Sequence, residues 1–144
     1  MMNIASILAR KGGKVATCRP EHTIRQALAL LAQHNIGALV VVGENAAPAG
    51  MLSERDIVRE AARDERVFGR TVGEIMTRDV VVGVPEDDLR AVRHTMTERR
   101  IRHVPVVVDG RLVGIVSIGD VVKAELDQYL GEVDTLQTQV GARP

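Results

Sequence analysis

GMLSERD (residues 50–56) and GIVSIGD (residues 114–120) share the pattern Gly-x-x-Ser-x-x-Asp, 64 positions apart. Two physical readings of the pattern stand side by side. Ser-x-x-Asp after a short apolar run is a helix start, with Ser as the N-cap and the acid bonding back to it. A helix N-terminus with unpaired N–H groups also holds anions. Ser53 with Asp56, and Ser117 with Asp120, are candidates for both roles.

Working outward, the two stretches are the ends of two long repeats. With Pro20 laid over Pro85, Ile24, Ala27 and Leu31 meet Leu89, Val92 and Met96. Ile36 meets Ile101, and Leu39–Val42 meet Val104–Val107. One extra residue in the loop GENAAPA then shifts the register, so that Gly50, Ser53 and Asp56 meet Gly114, Ser117 and Asp120. Each half reads in one order. A short strand (15–18 or 80–82) runs to a proline, and Thr23 or Asp88 then caps a helix. Thr23-x-x-Gln26 has capping-box form. The β-branched runs 38–42 and 104–108 read as buried strands, and Asp109-Gly110 signals a hairpin. A second strand ends at Ser53 or Ser117, and helices follow over 56–64 and from 120 onward. The predicted unit is β-α-β-β-α. About 60 residues are marginal alone because so little surface can be buried. The predicted architecture is therefore α+β or α/β, two repeats packed sheet to sheet as a pseudo-twofold pair with clefts between them.

The bulk composition narrows the function. The 144 residues are 45% hydrophobic and 26% charged with a formal net charge of zero, which predicts a folded core and no general electrostatic grip on nucleic acid or membrane. Phe68 and Tyr129 are the only aromatics, too few for base-stacking platforms. Cys18 is the only cysteine, so no internal disulfide forms, and an inert buried thiol is expected. The histidines show no metal-ligand spacing with Cys or acids, and no metal is expected. MMNIASILARKGG lacks a sustained apolar region, and the apolar runs are strand-sized, so a cytoplasmic protein is expected. Walker loop, dinucleotide fingerprint and nucleophile elbow are all absent from the sequence, and an enzyme is not expected.

NIGALVVV with GMLSERDIV, and IRHVPVVVDGRLVGIVSIGDVV, resemble a tandem pair of CBS domains, also called a Bateman module. TVGEIM at 71–76 resembles the lead-in to a second repeat, with NIASIL at 3–8 as its degenerate partner. The expected organisation is a lead-in over 1–14, repeat 1 over 15–66, a linker over 67–79, repeat 2 over 80–124, and a C-terminal helix and tail over 125–144. The resemblance implies a stand-alone regulatory module that binds an adenine nucleotide (AMP, ADP, ATP or NAD, or else S-adenosylmethionine) and signals to an unidentified effector protein. It assigns ribose to Asp56 and Asp120, and phosphate to Ser53, Ser117, Arg55 and Arg102. The adenine would lie against Ala16, Thr17 and Cys18 with Gly37, Ala38 and Leu39, and against Val81, Val82 and Gly83 with His103, Val104 and Pro105. A ligand-free oligomerisation scaffold is the competing reading.

The two sites are not copies, since Val82 stands where the first has Thr17, and Ile118-Gly119 where it has Glu54-Arg55. Arg99, Arg100, Arg102 and His103 are either a solvated helix end, where cations offset the C-terminal dipole, or a phosphate contact. Leu126, Tyr129, Val133, Leu136 and Val140 form a heptad-like stripe, interrupted by Gly131, that either folds back on its own repeat or joins a homodimer interface.

Overall fold

The two Gly-x-x-Ser-x-x-Asp stretches each end a strand and begin a helix in the computed structural model, which describes residues 2–141, with side chains up to residue 134. The first half runs α1 (Ile4–Lys11), β1 (Thr17–Cys18), α2 (Ile24–His34), β2 (Ala38–Val42), β3 (Pro48–Ser53) and α3 (Glu54–Ala61). The second runs α4 (Val72–Ile75), α5 (Leu89–Arg99), β4 (His103–Val108), β5 (Arg111–Ser117) and α6 (Ile118–Gly141). In the first sheet β1 pairs parallel to β2 and β2 antiparallel to β3, while β4 and β5 form a two-stranded antiparallel sheet. Both β2–β3 and β4–β5 slip register at the same place, Val41/Val42 and Val106/Val107.

The local signals account for these elements. Thr23 accepts from the Gln26 N–H while Gln26 accepts from the Thr23 N–H, closing the capping box that starts α2. Asp109 (φ 52°) and Gly110 (φ 76°) are both left-handed, as a type I′ hairpin requires. Three expectations need correction. Asp88 occupies the N-cap of α5 but makes no side-chain cap, and the Leu89 N–H instead donates to the Met2 carbonyl. Residues 80–82 do not form a strand. Only Gly83 touches the sheet, through one parallel bridge to Val106. Val82 and Val84 are exposed, and the Asp87 carboxylate accepts the Val84 N–H, turning the chain away. Gly131 does not interrupt α6, which runs continuously to Gly141.

The core is two clusters, and each is completed by the lead-in of the opposite half. Ile4 and Ile7 of α1 pack with Leu89, Met96, Val104 and Val116 of the second repeat. Val67, Val72 and Met76 of the connecting segment pack with Ile24, Leu31, Leu39 and Leu52 of the first. The exchange repeats bond for bond. The Ile4 N–H donates to Asp87 O and the Ala5 N–H to Pro85 O, as the Val72 N–H donates to His22 O and the Gly73 N–H to Pro20 O. In the second half the lead-in Ile4 side chain covers Gly83, the one residue of this segment that bridges to the sheet.

This exchange explains the repeated glycine. A Cβ at Gly50 would lie 2.6 Å from Met76 Sδ and 2.8 Å from the Thr77 carbonyl oxygen. At Gly114 it would lie 2.6 Å from Leu8 Cδ2. The lead-in segments run directly over these positions. Gly50→Ala should therefore destabilise by about 1–3 kcal/mol, the usual range for overpacking. Gly114→Ala should cost less, because a leucine methyl can swing aside and a backbone carbonyl cannot. Denaturant melts of the two variants test this, and a costlier Gly114 variant would contradict it.

Candidate ligand cleft

β2 and β3 bring Gly37 and Ala38 beside Ser53, where α3 begins. The Ser53 hydroxyl accepts from the Asp56 N–H (3.1 Å), and Asp56 Oδ2 accepts from the Ser53 N–H (3.0 Å). The capping reading of the repeated pattern is therefore correct for both copies, since Ser117 and Asp120 exchange the same two bonds at 3.0 and 2.9 Å. Capping also fixes the Asp56 carboxylate at the wall of a cleft of about 380 Å³. One face of the cleft is the first turn of α3 with Arg55 and Arg59. The opposite face is the chain leaving α5, with Arg100, Arg102 and His103, and Thr77, Val80 and Val81 close a third side. Thr77 is held there by a two-bond bridge to Met51.

The electrostatics of this cleft are lopsided. Arg59 faces Asp56 Oδ1 at 3.9 Å, and Asp79 pairs with Arg99 at 3.5 Å. Arg55, Arg100 and Arg102 have no ion pair among the described residues. Four arginines thus line the cleft with three carboxylates, Glu54, Asp56 and Asp79, and the three arginines without an ion pair among the described residues leave it an excess of positive charge that favours an anion. Burial, reinforced by Lys11 and Arg102 against the opposing pull of Asp120, holds the His103 imidazole below its ordinary pKa. His103 is therefore neutral at pH 7, with one donor and one acceptor nitrogen.

The cleft gathers Gly37, Ala38, Ser53, Arg55, Asp56, Val81, Arg102 and His103 of the sequence-proposed residues, drawn from both repeats. The sequence reading had divided them between two pockets. It offered Arg100 in a cluster read as either a helix end or a phosphate contact, and missed Arg59 and Thr77, of which Arg59 could have been found as the residue one helical turn beyond Asp56. Other proposed residues lie elsewhere. Cys18, Leu39 and Val104 are buried in the two cores, and burial pushes the Cys18 thiol up to about 11, so it stays protonated. Ala16 packs against the first core, Thr17 pairs with Val40, and Gly83 and Pro105 bond to each other beneath Ile4. Val82 is exposed and does not line the cleft. Among the described residues no His/Cys/Asp/Glu cluster of metal-binding form occurs, and no helix is long and apolar enough to cross a membrane.

The family model for the CBS domain matches residues 5–63 and 72–127, once for each half. The chain belongs to the CBS-domain family. Among curated CBS proteins it is 37% identical to "CBS domain-containing protein CBSX3, mitochondrial" of Arabidopsis thaliana, over 95% of this chain and 71% of that one. The structure of the CBS-domain protein ATU1752 of Agrobacterium tumefaciens superimposes with a TM-score of 0.82 at 38% identity, covering 86% of this chain and 99% of that one. The CBS domain pair of protein MJ0100, solved with 5′-methylthioadenosine and S-adenosyl-L-methionine, gives 0.78 at 28% identity, covering 89% and 98%. The pseudo-twofold pair of β-α-β-β-α repeats is thus a CBS pair in which the first strand of the second repeat is reduced to a single bridge at Gly83.

Proposed function

We propose that this CBS pair is a regulatory module that binds an adenine nucleotide in the cleft between its repeats and has no catalytic activity of its own. The observation that carries the reading is the capped Ser53–Asp56 helix start, with Arg55 in its first turn, sharing a cleft of about 380 Å³ with Arg100 and Arg102 of the other repeat, a volume in the range of small-molecule sites, about 300–1,000 Å³. Asp56 Oδ1 suits a ribose hydroxyl, because an ionised carboxylate is acceptor-only. Ser53, Arg55, Arg100 and Arg102 suit phosphate. Ala38, Val80, Val81 and neutral His103 offer the base an apolar surface with one donor and one acceptor. The complex of MJ0100 supports an adenosine-containing ligand.

The free cations add a preference. ADP, ATP and NAD bring two or more phosphate charges to the guanidiniums, whereas S-adenosylmethionine brings a sulfonium cation. A melting scan with AMP, ADP, ATP, NAD and S-adenosylmethionine is expected to rank the polyphosphates first. A ligand at a hundredfold excess over Kd adds about 2.7 kcal/mol. Absence of any shift at millimolar ligand would remove the sensor reading in favour of the scaffold.

The module is proposed to act as a homodimer on an effector protein. Val58 on α3 and Val122 on α6 hold matching positions in the two repeats and are 68% and 52% exposed. Leu126 and Tyr129 extend that apolar surface along α6. The Arg93–Glu125 pair ties the near part of α6 to α5 of its own half, and the Arg10–Asp127 pair ties it to the lead-in helix α1. Leu136 and Val140, the far end of the stripe, lie outside the described side chains. Light scattering at about 10–50 µM, where an interface of standard size is populated, is expected to show a dimer that weakens when the chain is cut after Lys123. A full-length monomer would refute it.

A further inference from the structure

The pseudo-twofold relation makes each cleft residue comparable with its counterpart, and the comparison is asymmetric at three of the four cations, Arg55, Arg100 and Arg102. Arg55 faces the first cleft where the second repeat has Gly119, and Arg59 where it has Lys123. Arg100 and Arg102 correspond to Asn35 and Gly37, and Arg100 and Asn35 share the same left-handed cap geometry, φ 53° and 52°. Around Asp120, Lys123 keeps the charge of Arg59; Arg55, Arg100 and Arg102 have no charged counterpart, and a lysine from elsewhere in the chain joins the carboxylate. Lys11, the last residue of α1, places Nζ 2.7 Å from Asp120 Oδ2 and 3.1 Å from the Ile115 carbonyl oxygen. Ile115 is the counterpart of Met51, whose carbonyl instead accepts the Thr77 backbone N–H at 2.9 Å.

That substitution has a geometric cause. α4 ends at Ile75, so the chain beyond it returns to the edge of β3 and then walls the first cleft. α1 continues for about one further turn to Lys11, and the side chain, rather than the backbone, reaches the strand. Asp120 Oδ2 thereby takes two donors, the Ser117 N–H and the Lys11 ammonium, whereas Asp56 Oδ2 takes the Ser53 N–H alone. The Lys11–Asp120 pair is partly screened, with side-chain exposures of 33% and 26%.

We propose that Lys11 is an intramolecular latch that occupies the second ligand cleft, so that each chain takes one nucleotide, in the cleft of Asp56. The inference rests on the nucleotide reading above. Lys11 stands in for the donors a ribose diol would present, and the second cleft lacks the arginines that would repay its displacement. Equilibrium dialysis at saturating AMP is expected to give one equivalent per chain for the wild type and for Lys11→Arg, which keeps the ammonium-like contact. Lys11→Met, which keeps the aliphatic stem, is expected to give two, and Lys11→Met with Asp120→Ala to return to one. Two equivalents in the wild type, one in Lys11→Met, or a second equivalent that survives in the double variant would each overturn the latch. No binding by any of the proteins would overturn the nucleotide reading and the latch together, a pattern distinct from the other failures.

Discussion

Ile4→Ala is expected to destabilise the protein by about 2–5 kcal/mol, the range for truncating a fully buried aliphatic side chain. Ile4 has no exposed surface, and its neighbours are residues of the second repeat, including Leu89, Met96 and Val104, together with Gly83. A domain has about 5–15 kcal/mol in all, so this one substitution removes a large part of it. The damage is also displaced. Amide exchange should rise first along β4 and β5, some hundred residues from the mutation, while β2 retains its protection. Arg10→Ala is the control, since its 3.0 Å pair with Asp127 is solvent-exposed and is worth about 0–1 kcal/mol. Loss of protection in β2 before β4 would contradict the packing of α1 against the second half.

Asp56→Ala is expected to weaken nucleotide binding by about 1.5–3 kcal/mol, or roughly 10- to 150-fold, the usual cost of a lost charged hydrogen bond. The same change removes the bond from the Ser53 N–H, so some stability, about 1 kcal/mol, goes with it. Affinity and stability must therefore be read separately. Asp120→Ala loses the equivalent cap and the Lys11 pair but leaves affinity in the first cleft unchanged. Calorimetry with ADP on both variants checks the contrast. If both proteins are less stable and both bind like the wild type, the two acids are caps and nothing more.

Elements defined by local chemistry were legible in the sequence. The capping boxes at Thr23 and Ser53, the Asp109-Gly110 hairpin and the apolar faces of α2 and α5 all follow from residues within one turn of each other. Elements defined by their neighbours were not. Val80–Val82 has strand propensity, but propensity reports fit to a sheet surface, and a lead-in helix lies over the adjoining Gly83. Gly131 carries a cost of about 1 kcal/mol relative to Ala, which good helix formers on both sides of it offset. The cleft was half legible. Duplication marked Ser53 and Asp56, yet no periodicity brings Arg100 and Arg102 of one repeat opposite Arg55 of the other. Lys11 was silent for the same reason, because its partner Asp120 lies 109 positions away.

The exchanged lead-ins bear on how such a chain could arise. A single ancestral copy carrying its own lead-in would have an unfilled core, because that lead-in packs on the other copy. The missing piece could come only from a second molecule, which would give one in return. The present chain holds that reciprocal exchange within one polypeptide. Severing it between the repeats should thus yield two fragments that are each incomplete alone and that complement one another when mixed.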